Sequence, residues 1–502
     1  MSLAGPIDET APTAAPTLTP RVRRRVSRRA VLGVAVAGGG GVAAIRLLGL
    51  GDRLGHLLPG AQRTGTQTDW VSPLAGEQAK VAHLLRRTTF GATSAELESS
   101  LSAGFSKTID RLLETQPAPP PAPPGGTDAG LLSRLNAGQL QQWWSDHMLT
   151  TPTPFAERMT LFWHGHFTSD YRKVGLQTPY VYWQNLTWRD MALTDLRSML
   201  MRVSSDPAML RYLDLATSTG RAPNENYSRE LMELFTMGAG NFKEDDVRAA
   251  AKALAGWVEP KPDRSVTVTL DAKNNVTRPY PVWDKPAVGV FDPKRAYTGA
   301  SIAFLGKTDR FDTQKVIDAI LAQPATAPFI AGRVAQQFVS TRPDAAYVKG
   351  LGDTFRKSRY DVKTLLKAVF TSPEFLADQS YRALVKSPIE FMVHTLKVLN
   401  APQLSKLVSA GGPNMGQSLF DPPDVGGWPN NEAWISSNTV IARVNFVSAA
   451  IAALKTLPPA SDAYSLHLDS TLSPPTAKLL SGATDDKTRW FLTLASPEFQ
   501  LK

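Results

Sequence analysis

The sequence predicts a mainly α-helical fold, a multi-helix globular domain with one small inserted β-hairpin. Apolar residues recur every three or four positions through most of the chain from Glu77 onward, the repeat of helices with one buried face. Only Ser265-Val266-Thr267-Val268-Thr269-Leu270 alternates strictly, and a polar turn containing Asn274-Asn275 leads from it to Val276 and Tyr280, which is a hairpin pattern. The 502 residues include no cysteine, so disulfides, thiolate metal sites and cysteine nucleophiles are excluded and packing alone must hold the fold. A hydrophobic fraction of 42% suffices for a core in a chain this long.

In chain order, residues 1–50 read as an export-signal region. Six arginines between Arg21 and Arg29 precede a stretch without charge from Ala30 to Ile45, and Ser27-Arg28-Arg29-Ala30-Val31-Leu32-Gly33 resembles a twin-arginine signal. Its expected partner is the twin-arginine translocase, and the expected location is extracytoplasmic: secreted, in the cell envelope or membrane-tethered. The uncharged stretch falls short of the roughly 20 apolar residues that a membrane span needs. Ala35-Val36-Ala37 and residues 41–44 are two small-residue cleavage sites, whereas Arg46 and the apolar 47–50 leave an uncleaved, tethered form open. Residues 51–76 read as a linker, and 77–502 as a single large helical domain.

Within that domain, Leu84, Leu85, Leu97 and Leu101 suit two short helices separated by Phe90-Gly91-Ala92, with Ser94 as the N-cap of the second and Glu96 and Glu98 in its first turn. The run 117–126, PAPPPAPPGG, reads as an extended surface linker. Helical patterns then cover 131–213, 224–237 and 245–258. A β-containing insertion occupies about 264–305, and helices resume at 313–321, 327–339, 347–357, 362–370, 382–399 and 440–454.

The net charge of +10 is divided unevenly, since +5 of it lies within residues 1–60. The body lacks the dense basic stripe that binding to a phosphate backbone needs, so nucleic acid is excluded as a partner. No His-Glu-x-x-His, no Gly-x-Ser-x-Gly, no full phosphate-binding loop Gly-x-x-x-x-Gly-Lys-Ser/Thr and no dinucleotide fingerprint occurs.

Three segments carry candidate chemistry. If a helix begun near Phe155 continues to Asp170, then Phe155, Met159, Phe162 and Trp163 share an apolar face with His166 and Asp170, while His164 points away. That pair reads either as a general base with its orienting carboxylate or as a buried structural hydrogen bond. If Gly165 breaks the helix instead, His164 and His166 share one face. In the second segment, Pro223 to Phe235, Glu225, Arg229 and Glu233 form an i, i+4 ladder. Glu230 sits there at the edge of the apolar stripe as a second acid or base, and Asn224 stands at the helix start. The third, Phe420 to Pro429 followed by Trp434, is a loop whose indoles Trp428 and Trp434 either stack on a sugar ring or plug the core. Arg87 and Arg229 are candidates to hold an anionic group, and Asn224, Glu225, Trp428 and Trp434 to bind substrate.

These segments, with His83 to Gly91, Asp246-Val247, Ala253 to Trp257, Phe304-Leu305-Gly306 and Lys386-Ser387-Pro388, resemble in order the bacterial family catalogued as domain of unknown function 1800, over about residues 77–500. The resemblance implies an exported, largely helical protein and supplies no reaction. It also implies a possible exported partner from the family called domain of unknown function 1501, whose members look similar to sulfatase-type enzymes. Where relatives tend to show a His-Asp pair before Phe-Leu-Gly, this chain has Phe291-Asp292-Pro293-Lys294, so a site using that histidine is missing or altered. The resulting expectation is a hydrolase-type enzyme on an envelope or extracellular polymer, with His166, Asp170 and Glu230 as its catalytic groups. The alternative is a non-catalytic surface protein that binds or matures a partner. No cofactor is specified, and a metal at His164, His166, Asp170 and Glu230 is left open.

Overall fold

The structure, a computed structural model, describes residues 73–123, 136–176, 178–270, 276–282, 286–461 and 463–502. The export-signal region and most of the expected linker 51–76 lie outside them. The first helices are α1 (Glu77–Thr88), α2 (Ser94–Ala103) and α3 (Phe105–Glu114). The break between α1 and α2 requires glycine at Gly91, where φ is +92° and a Cβ would lie 2.0 Å from the His394 ring. Thr93, not Ser94, caps α2: its hydroxyl accepts from Glu96 N at 3.2 Å, and the Glu96 carboxylate accepts from Thr93 N at 2.7 Å. This reciprocal box satisfies two otherwise orphaned donors, which Ser94 one position later does not do.

The proline run, described through Pro123, has no regular structure. It lies against the body, because Trp143 Nε1 donates to Pro121 O at 2.7 Å and Ala118 N to Thr153 Oγ1 at 2.9 Å. The periodic stretch beyond it divides into α4 (Ala137–Thr150), α5 (Pro154–His166), α6 (Tyr171–Val174), α7 (Tyr180–Asp190), α8 (Leu196–Ser204) and α9 (Pro207–Tyr212). Local signals place the divisions: Pro154 and Pro207 open α5 and α9, and Asp195 and Asp206 cap α8 and α9 through Ser198 N and Met209 N. Then follow α10 (Asn226–Glu233) and α11 (Glu244–Leu254).

The strands are β1 (Trp257–Val258), β2 (Arg264–Leu270), β3 (Val276–Val282), β4 (Val290–Phe291), β5 (Ile302–Phe304) and β6 (Lys307–Asp309). They form three antiparallel pairs, β1–β4, β2–β3 and β5–β6. The expected hairpin is β2–β3, with Val266 opposite Tyr280 and Leu270 opposite Val276; its turn residues Asn274 and Asn275 lie outside the described residues. The C-terminal half comprises α12 (Thr313–Leu321), α13 (Thr326–Phe338), α14 (Ala345–Lys357), α15 (Val362–Phe370), α16 (Pro388–Val398), α17 (Lys406–Met415), α18 (Ser437–Ala452), α19 (Ala463–Leu468), α20 (Pro474–Ser481), α21 (Asp486–Ala495) and α22 (Pro497–Gln500). The fold is therefore mainly helical. Among the described residues no helix is long and apolar enough to cross a membrane.

One continuous apolar core contains Trp144, Phe155, Trp163, Trp188, Phe235, Phe338 and Phe391, and a smaller cluster gathers Val385, Trp428, Trp434 and Leu501. Buried charges thread this core. Glu157 accepts from Arg189 at 2.7 and 2.8 Å and lies 3.2 Å from His147 Nε2, with Trp144 Nε1 as a further donor. Its neighbour Arg158 pairs with Glu390, which also receives the ammonium of Lys502. Removing one partner from such a pair leaves an uncompensated buried charge, at a cost of about 3–5 kcal/mol.

Histidines are buried with them. His164, His166 and His467 are each held down to about 3, chiefly by burial, and His83 and His394 also lie well below the ordinary value. A neutral buried imidazole stabilises the fold fully above its unfolded pKa, and the contribution is lost as pH falls and the unfolded chain takes up the proton. Stability is therefore expected to decline from about pH 6.5 towards pH 3, with a slope of about 1.4 kcal/mol per pH unit for each such histidine. Urea midpoints measured at half-unit steps between pH 7.5 and 4 check this, and a midpoint that stays flat down to pH 4.5 contradicts it.

Candidate functional site

Helix α5 stops at His166: Phe167 N bonds Trp163 O at 2.7 Å, and the chain then turns extended. Thr168 Oγ1 donates to Val425 O at 2.6 Å and Ser169 Oγ to Gln184 Oε1 at 2.6 Å. Asp170 then caps α6, accepting from Arg172 N at 2.7 Å. The expectation that one helix face carries both His166 and Asp170 is thus corrected, because a residue that favours N-caps begins a new helix instead of continuing the old one.

Gly165 does not break α5 either, so His164 and His166 face different ways. His164 Nε2 accepts from Phe420 N at 3.1 Å, among the rings of Trp144, Phe420 and Trp428. His166 Nε2 lies 3.0 Å from Phe235 O, to which it can only donate, so Nδ1 carries the lone pair. That Nδ1 is buried and has no partner. Burial first, then the charge of Arg333, holds this imidazole down to about 3.

A second close approach shapes this end of α5. Gly427 has φ +85°, and a Cβ there would sit 2.4 Å from Gly165 O, so glycine lets the 425–429 loop lie directly on the helix. The loop brings Trp428 and Trp434 beside a cavity of about 80 Å³. Arg158 and His166 from α5 line it, with Arg333, Gln336 and Gln337 from α13, Ser387 and Glu390 at the start of α16, Asn430, Asn431 and Lys502. The indoles are 8% and 4% exposed, so they wall the cavity and plug the small cluster; neither presents an open stacking face.

Electrostatically the cavity is lopsided. Burial pushes Glu390 up, but Arg158 and Lys502 outweigh that and hold it ionised, at about 2. Burial brings Lys502 down to about 7 against the pull of Glu390. Burial also lowers Arg333. The arrangement can hold a small polar group between cations and amides. It offers one imidazole lone pair and no protonated carboxyl as a general acid.

The other expected site residues lie apart from it. Arg87 is buried, donates to Ser380 O and is lowered by burial and by Arg86, so it is not an accessible anion holder. Arg229 is engaged by Glu244 at 2.7 and 2.8 Å and by Glu225 at 3.3 Å, tying α10 to α11 in place of the expected ladder to Glu233. Asn224 makes a turn, its Oδ1 accepting from Asn226 N at 2.9 Å. Glu230 is raised by burial and by the repulsion of Glu233. It acts with Asp170 and Asp424 on Tyr212, whose hydroxyl burial and these carboxylates push up to about 12. Among the described residues no group of three or more His, Asp or Glu side chains is placed to hold a metal ion.

The cavity therefore unites His166, Trp428 and Trp434 from the expected set with Arg158, Arg333, Glu390 and Lys502, which sequence reasoning missed. Two signals pointed to part of this: Glu157-Arg158 interrupts an apolar helix, and Ser387-Pro388-Ile389-Glu390 is a capping box that places its glutamate.

The family model described as protein of unknown function (DUF1800) matches residues 83–501. No curated protein and no solved structure matches the chain. Nitrogen NMR of His166 is expected to show the Nε2–H tautomer with no titration between pH 7 and 4.5; a protonation midpoint near 6 contradicts the buried geometry.

Proposed function

Starting from a chain that belongs to the DUF1800 family, we infer an extracytoplasmic protein, exported by the twin-arginine route, that binds a polar end group of an envelope or extracellular ligand. The observation that carries the binding reading is the cavity into which α5, α13, the start of α16 and the 428–434 loop together bring amides, cations and two indoles. A few convergent polar groups in an otherwise packed wall are what ligand pockets use to fix orientation. Export is supported by Arg28 and Arg29 ahead of the uncharged 30–45 stretch. A protein from the family called domain of unknown function 1501 is the proposed exported partner on the resemblance alone.

Binding is favoured over hydrolysis because Asp170 and Glu230 act on Tyr212 and neither contributes to the shift of His166. The hydrolase reading retains one observation, the unpartnered Nδ1 of His166. In it His166 Nδ1 takes a proton from water as the water oxygen bonds an ester carbonyl carbon, and the imidazolium returns that proton to the leaving alkoxide as the C–O bond breaks, without a carboxylate to orient the ring.

Two experiments test this reading. Arg28→Lys with Arg29→Lys is expected to leave the protein in the cytoplasm, and unchanged export removes the twin-arginine assignment. Calorimetry of the exported protein with soluble envelope polysaccharides and wall fragments is expected to find a ligand whose affinity falls about tenfold in the Gln337→Ala, Asn430→Ala variant, the scale of one to two hydrogen bonds. Unchanged affinity moves the site elsewhere. Release of product that His166→Gln abolishes, with binding retained, decides for hydrolysis.

A further inference from the structure

The charged end of the cavity holds more cation than its carboxylate can serve. Glu390 is shared by Arg158 and Lys502. Arg333 reaches the same cavity from α13, is partly buried, and has no ion-pair or hydrogen-bond partner among the described residues. Arg158 Nε is also buried without a partner. One carboxylate is likewise shared at Asp469, which meets Arg86 and Arg382, whereas Glu157 meets one arginine, Arg189.

Arg158 Nε is withdrawn from water without an acceptor, which is costly, while the half-buried Arg333 keeps its planar fork free to match the oxygens of an oxyanion in pairs. The volume of about 80 Å³ suits a group of a few heavy atoms, with the amides of Gln336, Gln337 and Asn430 as further donors. Imidazole neutrality at His166 adds no repulsion for an anion and leaves a lone pair that can accept from a protonated oxygen.

We propose that this cavity is an oxyanion subsite in which Arg333 is the principal ligand, and that it takes the phosphate or sulfate ester group of a larger molecule. The assignment rests on the pocket reading above and deepens it. The two esters share tetrahedral oxyanion chemistry, and the test separates them.

The full exported protein is melted and titrated calorimetrically in chloride at fixed ionic strength, with inorganic phosphate, inorganic sulfate or acetate added. Phosphate or sulfate is expected to raise the midpoint saturably by a few degrees, and acetate, whose two oxygens meet one fork only, to raise it less. Arg333→Gln is expected to weaken oxyanion affinity at least about tenfold, as loss of a charge-assisted fork should. Arg333→Lys, which keeps the charge and loses the fork, is expected to fall between. Melting of both variants in chloride alone reports folding, and removal of an unpaired cation is expected to leave that midpoint equal or higher. The larger response of phosphate or of sulfate identifies the ester. Equal responses to all anions, or an undiminished response in Arg333→Gln, overturn the proposal. If oxyanions do nothing while a neutral saccharide binds through Gln337 and Asn430, the subsite fails and the pocket reading survives. If neither binds, both fail.

Discussion

Two adjacent residues of opposite charge, Glu157 and Arg158, are buried near the start of α5, and the surrounding structure is arranged to meet them. Consecutive helical residues point about 100° apart, so one partner cannot serve both. Glu157 is met on one side by α4 and α7 through Trp144, His147 and Arg189. Arg158 is met on the other by Glu390 of α16, which in turn binds Lys502. Hydrophobic packing alone would tolerate α5 rotated or shifted by a turn. The two charges do not, because any other register strands one of them in an apolar core.

The same constraint sets the functional end of the helix. With α5 held at Glu157 and Arg158, His164 falls against Trp144 and Phe420, while His166 falls against Phe235 on the neighbouring side. Gly427 then lets the Trp428 loop close on the last turn. Arg158 spans both settings: it belongs to the structural ion network and to the cavity wall. The unequal count of charges in the cavity follows, since the carboxylate that offsets Arg158 is already divided with Lys502.

Two electrostatically opposite regions result. The cavity gathers Arg158, Arg333 and Lys502 around one ionised Glu390, whereas Asp170, Glu230 and Asp424 surround Tyr212 and raise its hydroxyl. Asp170 and Glu230 belong to the acidic region and His166 to the basic one. Neither Asp170 nor Glu230 is therefore placed to orient the imidazole of His166.

The sequence by itself determined the elements whose causes are local. Helices α12 and α15 match their expected bounds because Asp312 and Asp361 cap apolar repeats, and the β2–β3 hairpin follows from strict alternation. It also showed that Trp428 and Trp434 would either plug or present, without deciding which. Tertiary structure alone decided where buried charges go: Arg158 lies 232 residues from Glu390, and the Glu390–Lys502 pair closes a further 112. It likewise chose the partner of His166, a backbone carbonyl 69 residues away in place of the carboxylate four residues on. Periodicity reports which face of an element is apolar, but the partner of a polar group on that face is set by whichever distant element packs against it.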